Sequence, residues 1–391
     1  MPIQAGLPST ARSRPEPFRQ GAVLALPLLF TLLGLVFATW ASRIPAMRDA
    51  LQLSAGQLGF ALLCAGIGGL ASFPLAAWLV ARHGQARAAF AGGLALLLAL
   101  PCIGWSTQSA ALMAALGLLG AAASCFDVAI NAIGAAAEKR AGRSIMSLLH
   151  AWFCVGTLLG ALGGSVMASF DVSPRWHFSV LAAVMVLPLW AACRSLNAPL
   201  PVRDAASATR GFGLPPRPLL VLGLLGFCGA IAEGGIADWS GVFMQDHIGA
   251  AAGVAPLAYA GFSGAMLLLR LVNDRFKDRW GARRVVAVGG VIAALGIGLA
   301  LAGWHAGTTI AGFALAGAGL AGVFPFVFSA AGRHGSTALA GVATISYCGA
   351  LVGPPFIGFI AQSAGLTLAL AVLGVLCAVM ALAALRAVSL D

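Results

Sequence analysis

The chain has 391 residues, of which 60% are hydrophobic and 9% charged, with a mean hydropathy of +0.95. Soluble domains carry about 25% charged residues, which excludes a soluble globular protein. Sixty per cent of 391 is roughly 235 apolar residues, and at about 20 per bilayer crossing that allows about a dozen spans, all helical because backbone polar groups in hydrocarbon must satisfy one another.

The predicted spans are 20–41, 56–81, 86–105, 109–135, 144–169, 176–195, 217–240, 254–275, 282–303, 307–331, 337–361 and 365–386. The net charge of +11 is distributed as a topology signal rather than a nucleic-acid patch. Arg12, Arg14 and Arg19 precede span 1, Arg82 and Arg87 follow span 2, and Lys139, Arg140 and Arg143 follow span 4. Arg203, Arg210 and Arg217 follow span 6, and Arg275, Lys277, Arg279, Arg283 and Arg284 follow span 8. Of 23 basic residues only Arg43, Arg48 and Arg175 fall on the other side. The positive-inside rule then places both termini in the cytoplasm. Residues 1–19, rich in Pro and Arg, read as a cytoplasmic tail with no cleavable signal. The eight cysteines lie in or beside apolar runs without a CxxC pair, so they read as small hydrophobes rather than metal ligands or a disulfide framework.

On spans 1 and 7, Trp40 and Trp239 are placed either to stack on a ring or sugar face or to belt the membrane interface. Arg43 near the outer end of span 1 reads as an outer-mouth anion contact or, more simply, as a partner of Asp49. Span 4 carries Ser124, Asp127 and Asn131 on one face, because residues three or four apart are neighbours on a helix. A carboxylate at bilayer depth costs about 2.5–3.5 kcal/mol on insertion scales, so Asp127 marks a functional site by default. Span 5 carries Ser147, His150, Cys154 and Thr157 on one face. Asp127 and His150 fall at similar depths on consecutive antiparallel spans, which could bring them together. Burial and an adjacent imidazolium act in opposite directions on a carboxyl group, which suits a proton relay. A structural hydrogen-bond pair locking spans 4 and 5 is the alternative. Trp152 on span 5 and Tyr347 on span 11 are further aromatic candidates.

Residues 197–216, rich in Pro, Arg, Ser and Gly, read as a cytoplasmic linker between a bundle over 20–196 and a second over 217–391. The halves echo one another. Ala38-Thr39-Trp40-Ala41 matches Ala237-Asp238-Trp239-Ser240, Met47-Arg48-Asp49 matches Met244-Gln245-Asp246, and Arg82-His83-Gly84 matches Arg279-Trp280-Gly281. Duplicated bundles predict a carrier with its solute held between the halves near midplane. On span 7, Glu233 is favoured as the second protonatable or substrate-binding acid. Asp238 follows about 140° around the helix and is expected at a solvated outer rim. Arg270 and Asp274, one turn apart, with Asp278, Arg279 and Arg82, read as a cytoplasmic gate network or a static cluster at helix ends. Phe324-Pro325-Phe326 predicts a kinked aromatic wall or ordinary packing around a kink. Gly317-Ala318-Gly319-Leu320-Ala321-Gly322 spells a dinucleotide fingerprint but lies inside an apolar span, so close helix packing explains it. No metal site, P-loop or cofactor motif appears.

The 8–9 connection, Asp278-Arg279-Trp280-Gly281-Ala282-Arg283-Arg284, resembles the loop signature of the major facilitator superfamily, and the 2–3 loop holds a second copy with Ala81 where the acid belongs. Gly349, Gly353, Pro354 and Pro355 on span 11, and Gly156 and Gly160 on span 5, resemble that family's G-xxx-G-P motif, known from drug/proton antiporters, though span 5 lacks the proline. The segments around Asp127–Gly164 and Ala232–Met244 resemble a bacterial permease branch near the fucose-permease group. The resemblance implies an all-α membrane protein of 12 transmembrane helices in two six-helix pseudo-symmetric bundles. It implies alternating access with spans 1, 4, 7 and 10 on the cavity and the 2–3 and 8–9 loops as the cytoplasmic gate.

The expectation is therefore a proton-coupled secondary transporter of a small polar solute, with a sugar as one candidate. It would be a monomer in the bacterial inner membrane, driven by the proton gradient without cofactor, metal or nucleic acid. A drug or metabolite/proton antiporter is the alternative. A non-transporting membrane protein, such as a sensor or intramembrane hydrolase, lacks a recognisable domain or a nucleophile–base pair.

Overall fold

Long apolar runs broken by glycine and proline give rods with short connections. In the computed structural model, which describes residues 20–141, 145–196 and 219–391, the described residues form fourteen α-helices and no strand. The first seven are α1 Gln20–Ala50, α2 Ala55–Ala71, α3 Phe73–His83, α4 Gln85–Gly104, α5 Ser109–Ala141, α6 Met146–Ser169 and α7 Pro174–Ser195. The second seven are α8 Leu220–Asp246, α9 Leu257–Trp280, α10 Ala282–Leu301, α11 Ala306–Leu320, α12 Val323–Arg333, α13 Ser336–Ala364 and α14 Leu366–Arg386. The expected tail 1–19 and linker 197–216, with Arg12, Arg14, Arg19, Arg143, Arg203, Arg210 and Arg217, lie outside the described residues.

Ten helices among the described residues are long and apolar enough to cross a membrane, and an eleventh span results if the bent pair α2 and α3 is joined. The pair bends by 41° where Pro74 in the first turn of α3 withholds an N–H and crowds the preceding turn. Span 10 is interrupted between α11 and α12, with Pro325 in the new helix's first turn, but the two together still count as one of the ten spans. The expected count of twelve is not reached on composition, because α9 carries Arg270, Asp274, Arg275, Lys277, Asp278 and Arg279.

The two sets of helices pack by one scheme. In the first set α1 lies on α6 and α7, α4 on α5 and α7, and α2 on α5. In the second, α8 lies on α13 and α14, α10 on α11 and α14, and α9 on α11. Each pairing is the counterpart of one in the other set, as the sequence echo requires. Small residues fix these contacts. A Cβ on Gly156 would collide with the Thr31 carbonyl oxygen of α1, and one on Gly349 with the Phe227 carbonyl oxygen of α8. The span 5 and span 11 glycines thus join α6 to α1 and α13 to α8. Gly317 and Gly319 meet the carbonyls of Phe262 and Gly289, so the fingerprint-like run is close packing, as expected. Gly84 and Gly281, with φ of 83° and 81°, occupy matching turns where only glycine is unstrained.

The largest fully buried side chains are apolar or aromatic, among them Phe30, Phe126, Phe178, Trp239, Phe262 and Phe313. The outer surface carries Leu24, Val180, Leu187, Leu295 and Leu382, an apolar coat suited to lipid. Between the sets, α2 meets α13 and α6 meets α9, again a symmetric pair, and α1 meets α8.

Candidate functional site

Most polar links between the two sets gather at one end, the end away from the first residue of α1 and the last of α14. Arg48 donates to both oxygens of Asp246 at 2.5 and 2.8 Å, and to Asp49 at 2.7 Å. The Gly56 amide donates to Gln362 Oε1 at 3.2 Å, and the Ser165 hydroxyl donates to the Gly253 carbonyl. In the same region Gly59 and Gly358 bring α2 and α13 into backbone contact. The sets are therefore closed on each other at this far end.

Deeper in, α6, α8 and α9 converge on Arg270. Its Nη1 donates to Cys154 Sγ at 2.8 Å, while its Nε is buried without a hydrogen-bond partner. Glu233 on α8 and His150 on α6 both lie within electrostatic range of Arg270. Glu233 Oε2 is buried without a hydrogen-bond partner. Cys154 is one turn from His150, so both reach Arg270 from one face of α6. Tyr259 on α9 lies within range of Glu233, Asp238 and Cys154. This cluster spans both sets of helices: His150 and Cys154 come from the first, Glu233, Asp238, Tyr259 and Arg270 from the second.

On α5, Asn131 Nδ2 donates to Asp127 Oδ1 at 2.8 Å and to the Asp127 carbonyl at 2.9 Å. Tyr347 on α13 is within electrostatic range of Asp127, stacks near Phe73 with ring centres 6.5 Å apart, and is 54% exposed. Asp127 thus faces the other set, where a hydroxyl-bearing ring approaches it.

Several expectations are corrected by this arrangement. Asp127 and His150 share no hydrogen bond or ion pair among the described residues, because α5 and α6 barely touch; α6 leans on α1 and α9 instead. His150 packs edge-on against Phe30 at 5.5 Å. Arg270 does not pair with Asp274. It turns inward, while Asp274, Asp278, Arg279 and Arg82 are exposed, with Arg279 over Trp280 and Arg82 over Trp78. Asp238 is half-buried beside Tyr259 rather than at a solvated rim. Trp40 and Trp239 are 4% and 1% exposed, so they neither belt the membrane nor offer a stacking face in this state. Trp78, Trp105, Trp176, Trp190, Trp280 and Trp304 are exposed instead. Trp152 follows His150 by about 200° around the helix and points away from Arg270. Phe324 is half-buried against Phe328 at 5.6 Å, and its neighbour Phe326 lies under the Lys277 ammonium. Arg43 does not reach Asp49, which is held by Arg48; its Nη2 donates to the Val172 carbonyl at 2.6 Å.

Sequence reading overlooked Arg48, Tyr259 and Cys154 as members of the interface. The signal for Arg48 was present in the repeat, since Asp49 and Asp246 are counterparts and the arginine sits between them. Among the described residues no group of His, Cys, Asp and Glu is arranged to hold a metal ion.

Two similarly packed sets of membrane helices, with charged side chains gathered between them, define a membrane transporter. The chain matches the family model of the Major Facilitator Superfamily over residues 26–245 and 222–391. It is 34% identical over 359 residues to an uncharacterized transporter, y4wD, of Sinorhizobium fredii, covering 91% of this chain and 95% of the relative. It is 34% identical over 348 residues to an uncharacterized MFS-type transporter of Yersinia pestis, covering 88% and 89%. Over 359 residues it is 30% identical to the membrane protein MosC of Rhizobium meliloti, covering 91% and 87%. Among solved structures it resembles the nucleoside transporter NupG, at TM-score 0.73 and 14% identity over 93% of this chain and 99% of that one. It also resembles a bacterial homologue of the lysosomal transporter Spinster, at TM-score 0.74 and 15% identity over 95% and 97%. The chain belongs to the Major Facilitator Superfamily. It is a multi-pass membrane transporter, of a family that is not an enzyme class.

Proposed function

We propose that this transporter couples proton movement to import of a small polar, sugar-like organic solute across the bacterial inner membrane, by alternating access. The carrying observation is Glu233, an acid between the two sets of helices with one carboxylate oxygen buried and unbonded, within range of Arg270. A buried carboxylate is tolerated when it is paired or protonated. Glu233 therefore has two states, one charged and drawn to Arg270, the other neutral and released from it. Because Arg270 also holds Cys154 on the opposite set, that change alters a contact between the halves. Asp127 with Asn131 and Tyr347 forms a second polar station at the interface, and His150 is the neighbouring proton carrier. The positive-inside rule makes the far end the outer one, so in this state the outer end is closed.

The fucose-permease likeness favours sugar-like cargo. The antiporter reading rested on the span 11 glycines, which here join α13 to α8, a packing role that import and export share. The sign of coupling separates them. In proteoliposomes carrying an internal pH dye, a solute that acidifies the lumen on entry marks symport, and one that alkalinises it marks exchange. A screen of sugars, organic acids and common drugs that finds solute flux with no proton movement would refute coupling.

A further inference from the structure

We infer that the recess around Arg43 at the far end is a binding site for a small inorganic anion, filled only while that end is closed. Arg43 is 5% exposed, yet it makes a single hydrogen bond, Nη2 to the Val172 carbonyl. Its Nε and Nη1 are buried with no partner. A buried guanidinium without a counter-charge is among the costliest arrangements in a folded protein. It lines a cavity of about 210 Å³, ample for an anion with water beside it.

The remaining walls suit negative charge. Ser173 caps the start of the 22-residue α7, but its hydroxyl makes no capping bond and is buried without a partner. In the first turn Pro174 brings no N–H and the Trp176 and His177 amides donate to the Ser173 carbonyl, so the helix start contributes partial positive charge rather than free donors. The Arg43 guanidinium and the Ser173 hydroxyl thus converge as donors on the recess. The acid of the recess, Asp171, is exposed and forms no ion pair with Arg43. Gln245 and Ala255 close the other wall from the second set of helices. Because the walls come from both sets, opening the far end takes the site apart. A bound anion would therefore hold this end shut, and transport would slow as the anion concentration outside rises.

The test uses the purified full-length protein in detergent at constant ionic strength, exchanging sodium gluconate for sodium chloride or nitrate. The expected result is a saturable rise in melting temperature of about 2–5 °C for the small anions. The rise should be absent in Arg43→Gln and should begin at lower concentration in Asp171→Asn, which removes a competing charge. An equal response in Arg43→Gln, or none in the wild type, overturns the site. Should Arg43→Gln fail to fold, Asp171→Asn decides alone. A lower midpoint supports the anion, whereas a loss of stability that chloride does not restore makes Asp171 the counter-ion and overturns it.

Discussion

Three ionisable side chains carry the coupling proposal, and each has its own test. Asp127→Asn keeps the amide-sized shape and the Asn131 neighbour but removes the proton site. It should abolish proton-coupled flux while melting within a few degrees of the wild type, and uptake with the normal pH optimum would remove Asp127 from the mechanism. Glu233→Gln should leave solute exchange between equal compartments intact while ending uphill uptake, because the neutral amide can no longer alternate its hold on Arg270. His150→Ala should move the pH profile of uptake; an unmoved profile would make His150 a packing partner of Phe30. At this scale the sequence singles out unusual residues and is a poor guide to whom they meet. Asp127, His150 and Glu233 stand out as ionisable groups in apolar runs. That α6 leans away from α5 depends on Gly156 fitting the α1 backbone, which depth and helix phase do not reveal. Arg270 and Asp274 looked like a pair because they are one turn apart, but the helix face that Arg270 occupies points into the protein.

Among the elements, the glycine contacts are the most exposed to substitution. Gly156→Leu would drive a side chain into the Thr31 carbonyl, a backbone atom that cannot rotate away. Overpacking usually costs about 1–3 kcal/mol, and the lower melting temperature should accompany loss of expression rather than a changed coupling ratio. Here the sequence was informative in part. The Gly317–Gly322 run reads as close helix packing, and the matching turns at Gly84 and Gly281 follow from the repeat, whereas the span 5 and span 11 glycines read as a family motif and not as packing contacts. The bend between α2 and α3 was not foreseen, although Pro74 was visible; hydropathy runs straight through it, and a proline signals a break only when the geometry of the turn before it is known.

The molecule as a whole is joined at the far end by Arg48 between two counterpart aspartates. Asp246→Asn should weaken that closure. Exposed ion pairs are worth about 0.2–1 kcal/mol, enough to change the balance of open and closed forms up to about fivefold, read by labels placed across the far end. A stronger test comes from Gly56 and Gln362. A Cβ at Gly56 would lie 3.7 Å from that of Gln362, the separation a disulfide adopts. The Gly56→Cys, Gln362→Cys protein should form an intramolecular crosslink under mild oxidation, stop transporting, and recover with reductant. The two-bundle plan was legible because duplication leaves its trace in sequence. Which end is shut was not, since no residue pattern records a conformational state.

The meeting of Gly59 with Gly358 has a mechanical consequence. Interlocked side chains resist rotation, because every tilt must unseat them. Two bare stretches of backbone have nothing to unseat, so α2 can roll on α13 as a smooth bearing while the distant ends swing apart. Adding even one methyl group at either glycine inserts a wedge at the pivot. Such a protein would keep all its charges and still dwell in the opposite state.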